Sequence, residues 1–141
     1  FNLRVNTMDI VLRKVRGGRA CRILAMGSHG ACPLFDFLGQ LKRDDGNAFD
    51  KITALLDRTA NHGTLKNEQK YRYFKREKVF EFKTTDGVRV LGFWDEKHII
   101  VCSHGFLKKS QKTPPGEIKR VVEVRREYFA AKEQGLLKEV Q

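Results

Sequence analysis

Val79-Phe80-Glu81-Phe82-Lys83-Thr84-Thr85-Asp86-Gly87-Val88-Arg89-Val90-Leu91-Gly92-Phe93-Trp94 is the stretch that decides the fold. Two runs of β-branched and aromatic residues flank Asp86-Gly87. Asp-Gly favours a two-residue hairpin turn, because both of its positions tolerate positive φ. With the turn there, paired positions sum to 173, which sets Phe80 against Phe93 and Phe82 against Leu91 on one face. Ile99-Ile100-Val101-Cys102 follows, and a second turn at Glu96-Lys97 gives sums of 193. Phe93 then pairs with Ile100, Leu91 with Cys102 and Arg89 with His104. The expectation is a three-stranded antiparallel meander whose end row is Thr84, Arg89, His104. Glu81 points away from the Phe80/Phe82 face and reads as an ion-pair partner for a basic strand residue.

Beyond the meander comes His104-Gly105-Phe106-Leu107-Lys108-Lys109-Ser110-Gln111-Lys112-Thr113-Pro114, with three lysines and no acid. A strand end that delivers a cationic loop to one edge of a sheet suits a polyanion, and RNA is the leading candidate. A helix pattern follows from about Gly116 to Gln134. Its apolar stripe is Ile118, Val121, Val122, Phe129 and Ala130, and Gly135 ends it.

Before the meander, residues 9–16 and 22–26 read as strands, separated by Gly17-Gly18. The turn Gly27-Ser28-His29-Gly30 lacks the G-K-[ST] of a phosphate-binding loop. Leu34 to Leu41 reads as a short helix. Phe49, Ile52, Leu55, Leu56 and Ala60 predict an amphipathic helix over 46–61, with Asp44-Asp45 as N-cap candidates and His62-Gly63 as its end. Lys70-Tyr71-Arg72-Tyr73-Phe74-Lys75-Arg76 interleaves cations with aromatics. Arg72 and Tyr73 there either hold and stack RNA or belong to a solvated connector whose rings pack on the core.

The chain has 141 residues, 40% of them hydrophobic and 32% charged, enough for one domain with its own core. Residues 1–7 read as a leader placed ahead of that domain, because the first methionine is Met8, and 8–141 as the domain itself. No apolar run approaches the roughly 20 residues that span a bilayer. Three cysteines without C-x-x-C argue for reduced thiols and a cytoplasmic protein, and four histidines show no metal-ligand spacing with them. The net charge of +11 is uneven: +5 over residues 1–30, −1 over 31–65, +7 over 66–120 and 0 over 121–141. Clustered positive charge supports salt-dependent binding of phosphate polymers. The alternative is a generically basic protein.

Phe80-Glu81-Phe82-Lys83, Gly87-Val88-Arg89-Val90-Leu91, the loop from His104 to Pro114, and Arg125-Arg126-Glu127-Tyr128 follow in order. That ordered set resembles the RelE superfamily of toxins, most closely its HigB-like, phage-associated branch. The branch carries an E-L-R motif, a Y-R-V strand and an h-G-F-x-K-K-x-x-K-T-P loop before the last helix, and the match covers about residues 65–130. Lys83 stands where E-L-R has arginine, so the charge is kept and the planar fork is lost. Gly92 stands where an aromatic is expected, displaced to Phe93-Trp94. The resemblance implies an α+β fold, RelE-like or microbial-ribonuclease-like, with helices packed on a twisted antiparallel sheet and a C-terminal helix after the basic loop. It also implies a type II toxin that cleaves mRNA on the ribosome without metal or other cofactor, neutralised by a helix-turn-helix antitoxin.

Metal-free RNA cleavage uses the ribose 2′-hydroxyl as nucleophile. The site must take its proton, stabilise the phosphorane and protonate the leaving 5′-oxygen. Under the resemblance, His104 exchanges protons and Arg89 stabilises the phosphorane. Lys108, Lys109, Gln111 and Lys112 hold RNA, Lys83 joins them, and Tyr128 reaches the site as an acid or a stacking partner. Each assignment has a structural alternative: a satisfied strand-end histidine, and a Tyr128 that packs the core. Two rival functions are a ParE-like toxin that poisons gyrase and a phage protein that binds nucleic acid without cutting it.

Overall fold

The computed structural model describes residues 10–28, 30–64, 67–108 and 112–140. The leader read into residues 1–7, and Lys109 and Gln111 of the basic loop, lie outside the described residues. The element order is β1 (Ile10–Gly17), β2 (Arg22–Ser28), α1 (Pro33–Asp44), α2 (Gly46–His62), β3 (Tyr71–Phe74), β4 (Val79–Lys83), β5 (Val88–Asp95), β6 (Ile99–Leu107), α3 (Pro115–Glu133) and β7 (Leu137–Val140). The fold is α+β: three helices packed on one seven-stranded sheet of order β3-β4-β5-β6-β2-β1-β7.

Local chemistry accounts for the helix ends. Pro33 and Pro115 open α1 and α3, where a missing N–H costs nothing. The Asp45 carboxylate accepts the Ala48 N–H at the start of α2. Gly63, at φ 81, ends it. The predicted helices therefore stand within a residue or two of their expected bounds, apart from a longer α1.

The sheet is antiparallel through β4, β5 and β6, as the meander predicts, and also between β3 and β4 and between β1 and β2. It differs from a wholly antiparallel sheet in two places. β2 lies parallel to β6 and β7 lies parallel to β1. Two elements have no counterpart in the sequence reading: β3, in the segment read either as RNA-holding or as a connector, and the edge strand β7.

Both hairpin registers also differ from expectation. β4 and β5 pair Phe80 with Gly92, Glu81 with Leu91, Phe82 with Val90 and Lys83 with Arg89. The loop has three residues, not two: the Thr84 N–H donates to the Val88 carbonyl, and Gly87 takes φ 91. The second hairpin pairs Asp95 with Ile99 through Gly92 with Cys102, then jumps to Leu91 with His104 and Arg89 with Phe106. Ser103 is the extra residue of a bulge. Gly92 permits the close approach there, since a Cβ on it would lie 2.6 Å from the Val101 carbonyl oxygen.

A one-residue slip exchanges the faces of a strand. Phe80, Phe82, Val88, Val90, Ile100 and Cys102 therefore form one core with α1 and α2. Leu91, Phe93 and Val101 face the other way and pack under Val121, Tyr128 and Ala131 of α3. Ala130, expected on the buried stripe of that helix, is exposed.

Candidate functional site

The bulge at Ser103 is what assembles the site. Simple alternation from Val101 would aim His104 at the α1/α2 face. The extra residue turns it to the α3 face, which Arg89 and Glu81 also share. Arg89 and His104 are thus diagonal neighbours on one face, not the directly opposed pair expected: Phe106 stands opposite Arg89, and Leu91 opposite His104.

Glu81 is fully buried, with basic residues on its neighbouring strands. The Thr113 hydroxyl donates to its Oε2 at 2.7 Å. The Arg89 Nε lies 3.7 Å from its Oε1. The Arg89 guanidinium also donates to the Thr84 and Val88 carbonyls, at 3.0 and 2.9 Å, which ties it to the hairpin loop. Lys83 is opposite Arg89, and Arg72 opposite Glu81, in the register. Lys108 follows the end of β6, its N–H bonded to the Gly87 carbonyl at 2.7 Å. Partial burial pushes its ammonium below the usual value. Glu81 pulls it back up, while Arg89, Arg72 and Lys83 push it further down. Lys108 therefore interacts with one carboxylate and three cations, and Arg89 and Lys108 both act on Glu81.

His104 is 1% exposed, with both ring nitrogens engaged. A carboxylate oxygen only accepts, so Nε2–H donates to Glu117 Oε1 at 2.8 Å, and Nδ1 accepts the Ser103 hydroxyl at 2.8 Å. Burial first, then the charge of Arg120, lowers its pKa from 6.5, against the opposing pull of Glu117. A base whose folded pKa is depressed contributes stability above the unfolded value and loses it as pH falls toward the folded one. The unfolding free energy should accordingly decline below about pH 6.5. Replacing His104 with Gln should flatten that decline in urea titrations across the range. Equal pH slopes for the two proteins would exclude His104 as the group responsible.

The other predicted residues divide. Arg72 and Tyr73 point to opposite faces of β3, Arg72 beside Glu81 and Tyr73 toward the α1/α2 side. Lys112 is exposed, at the far end of the basic loop from Lys108. Tyr128 does not reach the cluster: its hydroxyl donates to Asp95, which also binds Lys132. Asp95 is six residues along β5 from Arg89, about 20 Å away at some 3.3 Å per residue. Tyr128 is a core residue that pins the C-terminal half of α3, and Trp94 packs against the α1/α2 core.

Glu81, Ser103, Thr113 and Glu117 join the site without having been proposed for it. Glu81 had a signal, a lone acid between two phenylalanines in a basic strand. Ser103 had none, since its role depends on the bulge. Among the described residues, no three His, Cys, Asp or Glu side chains converge to hold a metal ion. No helix among them is long and apolar enough to cross a membrane.

Residues 36–126, which run from α1 into α3 and hold every member of this cluster, match the family model described as phage derived protein Gp49-like (DUF891). No curated protein matches the chain.

Proposed function

The chain belongs to the Gp49-like family of phage-derived proteins, a RelE-like, toxin-type family of toxin–antitoxin systems, and from that membership we propose that it is a type II toxin that cleaves mRNA, without a metal, on the ribosome. The observation that supports this most is the gathering of Arg72, Lys83, Arg89 and Lys108 within electrostatic range of one another, with Glu81 acting on Arg89 and Lys108. Cations held by a fixed carboxylate cost little reorganisation when a phosphate gains charge in the transition state.

In this reading the ribose 2′-oxygen attacks phosphorus and the P–O5′ bond breaks, leaving a 2′,3′-cyclic phosphate and a 5′-hydroxyl. Arg89 stabilises the phosphorane with the hydrogens its backbone bonds leave free. Lys108, its ammonium below the usual value, releases a proton readily and supplies the leaving 5′-oxygen. The proton from the 2′-hydroxyl goes to the His104–Glu117 pair, of which Glu117 is the exposed end, its side chain 30% accessible. Lys112, with Lys109 and Gln111, contacts flanking phosphates. The partner is a helix-turn-helix antitoxin whose acidic or amphipathic segment covers the basic loop, and the site of action is the cytoplasm.

The test is expression without a partner, combined with mapping of cleavage on purified translating ribosomes. Growth should stop, and mRNA should be cut within the ribosome. Intact mRNA with a soluble, folded protein counts against the reading. One observation favours a rival: His104 has no free nitrogen, as in a protein that binds without cutting. A ParE-like poison would inhibit gyrase supercoiling and leave ribosomal mRNA whole.

A further inference from the structure

On the sheet face opposite the cluster, a groove of about 1390 Å³ runs along the β3 edge. We infer that this groove is a base-stacking site for single-stranded RNA, so that the strand crosses the β3 edge and presents its phosphate to the Glu81–Arg89 cluster. The inference rests on the nucleic-acid reading of that cluster.

An edge ring, Tyr73, stands beside a stacked pair, Phe80 and Trp94, and all three line the groove. Tyr73 is 59% exposed and stands directly opposite Phe80 in the register. Phe80 stacks on Trp94, with ring centroids 5.9 Å apart and planes 19° from parallel. Gly92, the residue opposite Phe80, places no side chain between them. Tyr73, exposed at the outer end and backed by the buried Phe80 and the half-buried Trp94, offers nucleobases a surface on which any base stacks, because every base has a π-face. Asn67 and Gln69 supply amide donors and acceptors at the rim, suited to the exposed edges of unpaired bases.

Charge sets the direction of the strand. Arg72 and Lys83 border the groove, and the same two side chains act electrostatically on Lys108 of the cluster. They connect the stacking surface to the phosphate-binding cluster, as a sugar–phosphate backbone between them requires. An acidic peptide would match these cations but would leave the aromatic rings without a flat partner.

The chain has a single tryptophan, Trp94, so its fluorescence reports on the groove alone. The probes are a short 2′-O-methyl oligoadenylate, which lacks the 2′-hydroxyl and so is not cleaved, and inorganic polyphosphate, which has no bases. The oligoadenylate should quench Trp94 saturably, whereas polyphosphate should bind without quenching. Tyr73→Ala should weaken oligoadenylate binding roughly tenfold or more while leaving polyphosphate affinity unchanged, and Tyr73→Phe should restore it. Oligoadenylate that binds by anisotropy, depends on Lys108 and leaves Trp94 unaltered would overturn the groove and leave the toxin reading standing. Absence of binding to either probe would overturn both. An acidic peptide that quenches Trp94 where oligoadenylate does not would give the groove to a protein partner.

Discussion

Arg89→Ala is expected to slow cleavage of ribosome-bound mRNA by on the order of 10²-fold or more, the usual cost of removing one preorganised donor from a developing oxyanion. Arg89 is held in place before substrate arrives. Its guanidinium bonds the Thr84 and Val88 carbonyls and faces Glu81, and its side chain is only 14% exposed. A preorganised cation of this kind acts on the transition state more than on binding, so kcat should fall with KM little changed. Arg89→Lys keeps the charge that Glu81 requires but loses the planar fork, and should recover the fold fully and the rate only in part. Because the alanine variant strands the Glu81 carboxylate, rates are to be compared per folded molecule, with the unfolding midpoint measured alongside. An alanine variant that cuts at the wild-type rate would remove Arg89 from the chemistry.

Glu81→Ala is expected to lower the unfolding free energy by about 3–5 kcal/mol, the range for breaking a buried ion pair by removing one partner. Glu81 is inaccessible, and both its neighbours depend on it. Thr113 would lose its acceptor, and Arg89, whose Nε has no hydrogen bond, would lose its countercharge. Glu81→Gln keeps an acceptor for Thr113 and removes only the charge, so its loss should be smaller, about 1–3 kcal/mol. Urea unfolding measures both, and a change in midpoint with constant slope identifies the effect as one of stability. Thr113 also joins the end of the basic loop to β4, so both variants should weaken RNA binding beyond what their unfolded fraction explains. A Glu81→Ala protein within about half a kcal/mol of wild type would show that the carboxylate holds nothing in place.

Much of this molecule was legible in its sequence. The spacing of Phe49, Ile52, Leu55, Leu56 and Ala60 requires a helix, and Asp45 and Gly63 bound it by local chemistry that involves no distant contact. The β4 and β5 runs, the basic segment after β6 and the final helix follow equally from composition and period. So does the clustering of charge over residues 66–120, where 14 basic residues meet 7 acidic. β3 and β7 were not legible, since four residues at a sheet edge are strands only because a neighbour pairs with them.

The registers were the harder part. Asp86-Gly87 fits a two-residue and a three-residue turn equally well, and the choice depends on which face of Phe80 and Phe82 finds α2 to pack against. The bulge at Ser103 leaves no mark in sequence, yet it alone decides that His104 faces Glu117 and not α1. Residue types and local periodicity determined the elements and the charge. Only the packing of two helical layers on opposite faces of one sheet decided the pairing, because each face admits a single register that buries its apolar residues, and that register placed Arg89 and His104 around Glu81 while carrying Tyr128 away to Asp95.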